Sequence, residues 1–119
     1  MPATVHELSR VGLLSGLSGE HVSKLAARLE REDVAPGATV VREGDQGERF
    51  YVVLSGMLSV TQEVVGERRV LRPGDTFGEV ALAMGIPRTA SVRAVTPAVV
   101  ASCDQKTFDE LLRPIFADG

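Results

Sequence analysis

Two charges stand alone in an otherwise apolar connection. In "FGEVALAMGIPRTAS", residues 77–91, only Glu79 and Arg88 are ionisable, and they lie nine positions apart. Arg88 offers a planar guanidinium, the group that makes paired, charge-assisted hydrogen bonds to phosphate oxygens. Gly78 precedes "EVALAM", a run of good helix formers. A helix starting there would turn its free backbone N–H groups, and the positive end of its dipole, toward an anion. Gly78 has no side chain to keep a ligand from the backbone. A carboxylate beside a bound phosphate is repulsive unless it has another partner. An ionised carboxylate only accepts hydrogen bonds, so a sugar hydroxyl is the natural donor for Glu79, in a bond worth about 1.5–3 kcal/mol. The pair reads as Arg88 for phosphate and Glu79 for sugar, with Gly78 and the amides of Val80 and Ala81 completing a cradle.

Such a cradle needs rigid elements around it, and the flanking sequence supplies them. Ser18 caps a segment in which Val22, Leu25, Ala26 and Leu29 share a helix face. A shorter helical piece around Val5 and Leu8 precedes it, and Gly12 and Gly16 predict a bend between the two. From about Glu32 the texture changes to short alternating runs divided by glycines at 37, 44, 47, 56, 66 and 74. "RFYVVLSGMLSVTQ" reads as two strands meeting at Ser55 and Gly56; Leu58 and Val60 alternate with Ser59 and Thr61, which predicts one buried face. "ERRVLRPGD" adds a strand and a turn. "TASVRAV" places Ala90, Val92 and Ala94 on one side, and "AVVASC" follows Pro97. About seven strands in succession predict a sandwich or a closed roll. Asp104 then caps a last helix with Phe108, Leu111, Leu112 and Ile115 on one face, which Pro114 should end or kink.

The 119 residues suit one domain large enough to fold on its own core. A single cysteine, Cys103, forbids an internal disulfide; at the end of an apolar strand it reads as a small buried hydrophobe. No signal-like start, membrane-length apolar run or basic amphipathic helix is present in the sequence, so a reducing cytoplasm is the expected compartment and membrane contact is not indicated. With 13 basic against 16 acidic residues the chain lacks the electrostatic footprint of a nucleic-acid binder. His6 and His21 both sit in the helical leader and are expected at the surface. No histidine pair at metal-ligand spacing occurs, so a metal-dependent cupin enzyme fits poorly. Nor is there a nucleophile elbow, a Walker lysine loop or a pair of catalytic carboxylates. Neither catalysis nor a bound metal is expected.

"FGEVALAMGIPRTASVRA" closely resembles the phosphate-binding cassette of cyclic nucleotide-binding domains, the family of the catabolite activator protein, protein kinase A regulatory subunits and cyclic nucleotide-gated channels. Phe77, Gly78, Glu79, the Ala81-Leu82 pair, Pro87-Arg88 and Ala90 carry the match. The resemblance extends through "PGATVVREGDQGERFYVVLSGMLSV" and "LSGLSGEHVSKLAARL", nearly the whole chain. It implies a mainly β fold, a jelly-roll-like β-roll flanked by helices: a helical leader at 1–31, the roll at 32–103 with its cassette at 77–91, and a hinge helix and short tail at 104–119. It further implies that Glu79 holds the ribose 2′-hydroxyl, that Arg88 holds the cyclic phosphate, and that Gly78, Val80, Ala81, Thr89 and Ala90 line the site. In the family a Ser or Thr at the position matching Thr89 often touches the phosphate, and in some cyclic-GMP readers a Thr there also bonds the guanine amino group. The expected function is a sensor for cyclic AMP, with cyclic GMP as the alternative ligand, that couples capture to helix movement through an effector domain or partner. A degenerate roll serving only as a protein-interaction platform is the rival. Oligomeric state is left open.

Overall fold

The computed structural model describes residues 1–117. The helical leader is α1 (Val5–Leu8), a 3-10 turn (Gly12–Gly16) and α2 (Gly19–Arg28). Thr4 and Glu7 close a capping box on α1, and the Ser18 hydroxyl accepts from the His21 amide at the start of α2, as the sequence predicts. His6 and His21 are exposed.

Eight strands follow: β1 (Glu30–Val34), β2 (Thr39–Val41), β3 (Arg49–Ser55), β4 (Leu58–Gln62), β5 (Gly66–Leu71), β6 (Thr76–Phe77), β7 (Ser91–Ala94) and β8 (Ala98–Asp104). They form two four-stranded sheets, ordered β1-β8-β3-β6 and β2-β7-β4-β5, and every pairing is antiparallel. The fold is thus mainly β, a jelly-roll-like β-roll flanked by helices. Strand pairing starts at Glu30, two residues before the change of texture at Glu32. That strand reads poorly in sequence because it is a charged edge: Glu30, Arg31, Glu32 and Asp33 are all exposed, and only Val34 is buried.

Two cores explain the long apolar run in β3. Tyr51 and Val53 point between the sheets, where Leu58, Leu71, Phe77, Val92, Ala94 and Val100 join them. Phe50 and Val52 point the other way, into a second core with Leu8, Leu25, Leu29, Phe108 and Leu112 of the flanking helices. A strand covered on both faces has no polar side to alternate. Ser59 departs from the simple alternation expected of β4: it is only 3% exposed. Its hydroxyl donates to Glu67 Oε1 at 2.6 Å, which makes the burial tolerable.

Between β6 and β7 runs α3 (Glu79–Met84), flanked by Gly78 and Gly85, both at positive φ (97° and 66°). The C-terminal helix, residues 105–117, starts at an Asp104 cap whose Oδ1 accepts from the Thr107 amide at 2.9 Å. Pro114 does not end it. A π-helical stretch at Phe108–Leu112 ends two residues before the proline, and helix continues through Arg113–Ala117. Proline lacks the N–H that an α-helix needs four residues on, and the looser π turn absorbs that lost bond. Gly119 and Asp118, the end of the expected tail, lie outside the described residues.

Candidate functional site

Arg88 is held at several points near α3. Its main chain is tied on both sides to the loop between β2 and β3: the Gly44 amide donates to Arg88 O and the Arg88 amide donates to Asp45 O, each at 2.8 Å. Its guanidinium donates through Nη2 to Arg49 O at 2.8 Å and through Nη1 to Gly78 O at 3.2 Å. The Tyr51 ring lies with its centroid 6.0 Å from Cζ and is itself stacked on Phe77 at 4.7 Å. Burial pulls the guanidinium pKa below its ordinary value, while Tyr51 and Glu79 oppose the shift. Arginine stays charged regardless. Two of five N–H donors are thus occupied within the described residues, and the rest of the fork is available.

Glycine is required at two neighbouring positions. At Gly78 a Cβ would lie 2.8 Å from both Arg49 O and Arg88 Nη1, so the missing side chain makes room for Arg88 itself rather than only for an incoming ligand. At Gly47 a Cβ would meet Ala81 Cβ at 2.5 Å and Arg88 Cζ at 3.1 Å.

All seven residues singled out from the sequence, Gly78, Glu79, Val80, Ala81, Arg88, Thr89 and Ala90, line one open hollow beside α3. Val41, Val60 and Val92 form its apolar wall. Glu79 Oε2 is buried there with no hydrogen-bond partner among the described residues. Neither Glu79 nor Arg88 takes part in an ion pair among those residues; the four present, such as Arg28–Glu110 and Arg113–Asp109, lie elsewhere. The hollow thus carries one buried cation and one unsatisfied acceptor on an apolar wall. That combination suits a small ligand with an anionic end and a hydroxyl donor. Thr89 is exposed, and its carbonyl accepts from Gln62 Nε2 at 2.8 Å.

Tyr51, Gly47 and the Arg49 carbonyl were not singled out as site residues, because their part depends on tertiary contact. Arg49 lies 39 residues from Arg88. Arg69, whose strand partner is the partly buried Val60, also lines the hollow. No signal in the sequence could have flagged it, because its place opposite Val60 is set by strand register.

Residues 31–114 match the family model described as cyclic nucleotide-binding domain. The chain belongs to the cyclic nucleotide-binding domain family. It is 42% identical over 107 residues to the cAMP-dependent protein kinase regulatory subunit of Debaryomyces hansenii, covering 90% of this chain and 24% of that protein. It is 36% identical over 111 residues to the cGMP-dependent protein kinase egl-4 of Caenorhabditis elegans, covering 88% of this chain and 14% of the relative. The regulatory domain of Toxoplasma gondii PKA, solved with cAMP, superposes with a TM-score of 0.90 at 32% identity over 94% of this chain and 45% of that one. The chain therefore spans about a quarter of the length of the curated kinase regulatory subunits it matches. Among the described residues no helix is long and apolar enough to cross a membrane, and no three His, Cys, Asp or Glu side chains cluster as metal ligands.

Proposed function

We propose that this chain is a single cyclic nucleotide-binding domain that captures cyclic AMP and acts as a non-catalytic regulatory module. The observation that carries the reading is the presence on one hollow of Arg88 and of a buried Glu79 Oε2 with no hydrogen-bond partner among the described residues. Arg88 takes the cyclic phosphate through its free N–H donors, helped by the amides that follow Gly78. Glu79 accepts the ribose 2′-hydroxyl, which satisfies the orphaned oxygen. Val41, Val60, Val92 and Ala90 receive the purine by apolar contact. Ligand capture biases the position of α3 and of the helices packed beside it. The output passes to an effector domain or partner protein, in a soluble, cytoplasmic setting.

Arg69 supports a second reading, cyclic GMP. A guanidinium donates well to guanine, whose O6 and N7 are both acceptors, and poorly to the same edge of adenine, where a donor replaces O6. Thr89 lines the same hollow and has a hydroxyl to offer a guanine amino group. Isothermal titration of the chain with both nucleotides tests the proposal. Tighter binding of cyclic AMP supports the first reading, and tighter binding of cyclic GMP that weakens in Arg69→Ala supports the second. No heat and no thermal stabilisation with either at millimolar concentration would leave only the interaction platform.

A further inference from the structure

We propose that Arg113, on the C-terminal helix, is a positioning residue for this site: it pins α3 from its carboxyl end and so holds Glu79 in the hollow. The inference rests on the reading of the hollow given above. The last carbonyls of a helix have no partner within it, and in α3 only Ala81 O is satisfied by the following turn, through the Gly85 amide. Arg113 reaches the next two, Leu82 O and Ala83 O. Its Nη2 donates to Leu82 O and its Nη1 to Ala83 O, both at 3.1 Å, and Gln105 Nε2 adds a bond to Leu82 O at 3.2 Å. A cation at this end also complements the helix dipole.

The fork is itself held in place. Arg113 Nε and Nη2 donate to Asp109 Oδ1 at 2.9 and 2.7 Å, Gln105 Nε2 reaches the same oxygen at 3.1 Å, and Cζ lies 5.7 Å from the centre of the Phe108 ring. One carboxylate therefore organises both donors that reach α3. The rest of the helix is anchored mainly on one face. Ala81 and Leu82 are buried, whereas Val80 and Met84 are 41% and 69% exposed. A six-residue helix is only about 9 Å long, so a shift at its carboxyl end carries to Glu79 at its start. Binding groups must be held within about 0.5 Å to act well. Arg113 thus reaches the ligand only through α3.

The test uses the full chain and compares the parent with Arg113→Met, which keeps an unbranched stem on Phe108 but no donors, and Arg113→Lys, which keeps the charge. Dissociation constants are measured by calorimetry for the cyclic nucleotide that the parent binds better and for its 2′-deoxy analogue. We expect Arg113→Met to reduce the preference for ribose over deoxyribose by about fivefold, and Arg113→Lys to restore part of it. An unchanged preference in Arg113→Met overturns the inference, including the case where both affinities fall together, which is the mark of a merely structural loss. If the parent binds neither nucleotide, the reading of the hollow fails and takes this inference with it; binding by the parent with an unchanged preference in the variant sinks this inference alone.

Discussion

Truncating Glu79 should separate binding from stability in opposite directions. Among the described residues Glu79 Oε2 is buried without a hydrogen-bond partner, and such an acceptor costs about 1–3 kcal/mol of desolvation. Glu79→Ala removes that cost, so its thermal midpoint should equal or exceed the parent's. In the complex the same oxygen receives the ribose hydroxyl, in a bond to a charged group worth about 1.5–3 kcal/mol. At 1.4 kcal/mol per decade, the variant should lose about tenfold to hundredfold in affinity for the ribonucleotide. The 2′-deoxy analogue has no such hydroxyl, so its affinity should barely change. Calorimetry with both ligands and a thermal melt of each protein give the three numbers. Equal losses for ribose and deoxyribose, or a large drop in midpoint, would refute the argument, because either would make Glu79 a structural residue.

Arg88→Lys keeps a positive charge but not the planar fork, and it releases Gly78 O and Arg49 O; nucleotide affinity should fall at least tenfold, and Arg88→Ala should abolish most binding, both checked by calorimetry. Asp104→Ala removes the cap of the C-terminal helix and should cost about 1 kcal/mol in urea unfolding at neutral pH. The Thr107 amide holds the Asp104 carboxyl below its ordinary 3.8, so the cap's contribution is full above that value and is lost as pH falls through the lower folded one; the gap between parent and variant should narrow only in that acid range. Cys103 is fully buried and its thiol is pushed up to about 12, chiefly by desolvation, so the native chain should resist a thiol reagent at pH 8 and react once unfolded in denaturant.

What the sequence shows and what it hides divides along a physical line. The α2 face, the turn between β3 and β4 and the Ser18 and Asp104 caps are local features, set by periodicity and by residues close in sequence. Glu79 and Arg88 were legible for the same reason, as two charges in one apolar connection. β1 was obscure because an exposed edge strand needs no apolar alternation. The helix beyond Pro114 was hidden because the π turn that accommodates the proline has no composition of its own. The support of the site was hidden most completely. Gly47, the Arg49 carbonyl and Tyr51 of β3, Arg69 of β5 and Arg113 of the last helix converge only when both sheets and that helix are in place.

The central claim is that the hollow between α3 and the roll grips a cyclic phosphate and its sugar. A crystal structure of the chain grown with the cyclic nucleotide it binds better is the most direct measurement. The account predicts the phosphate within hydrogen-bond distance of the Arg88 guanidinium and the 2′-hydroxyl on Glu79 Oε2. Nucleotide density on the opposite side of Arg88, in the crevice lined by Asp45, Glu48 and Tyr51, would contradict it.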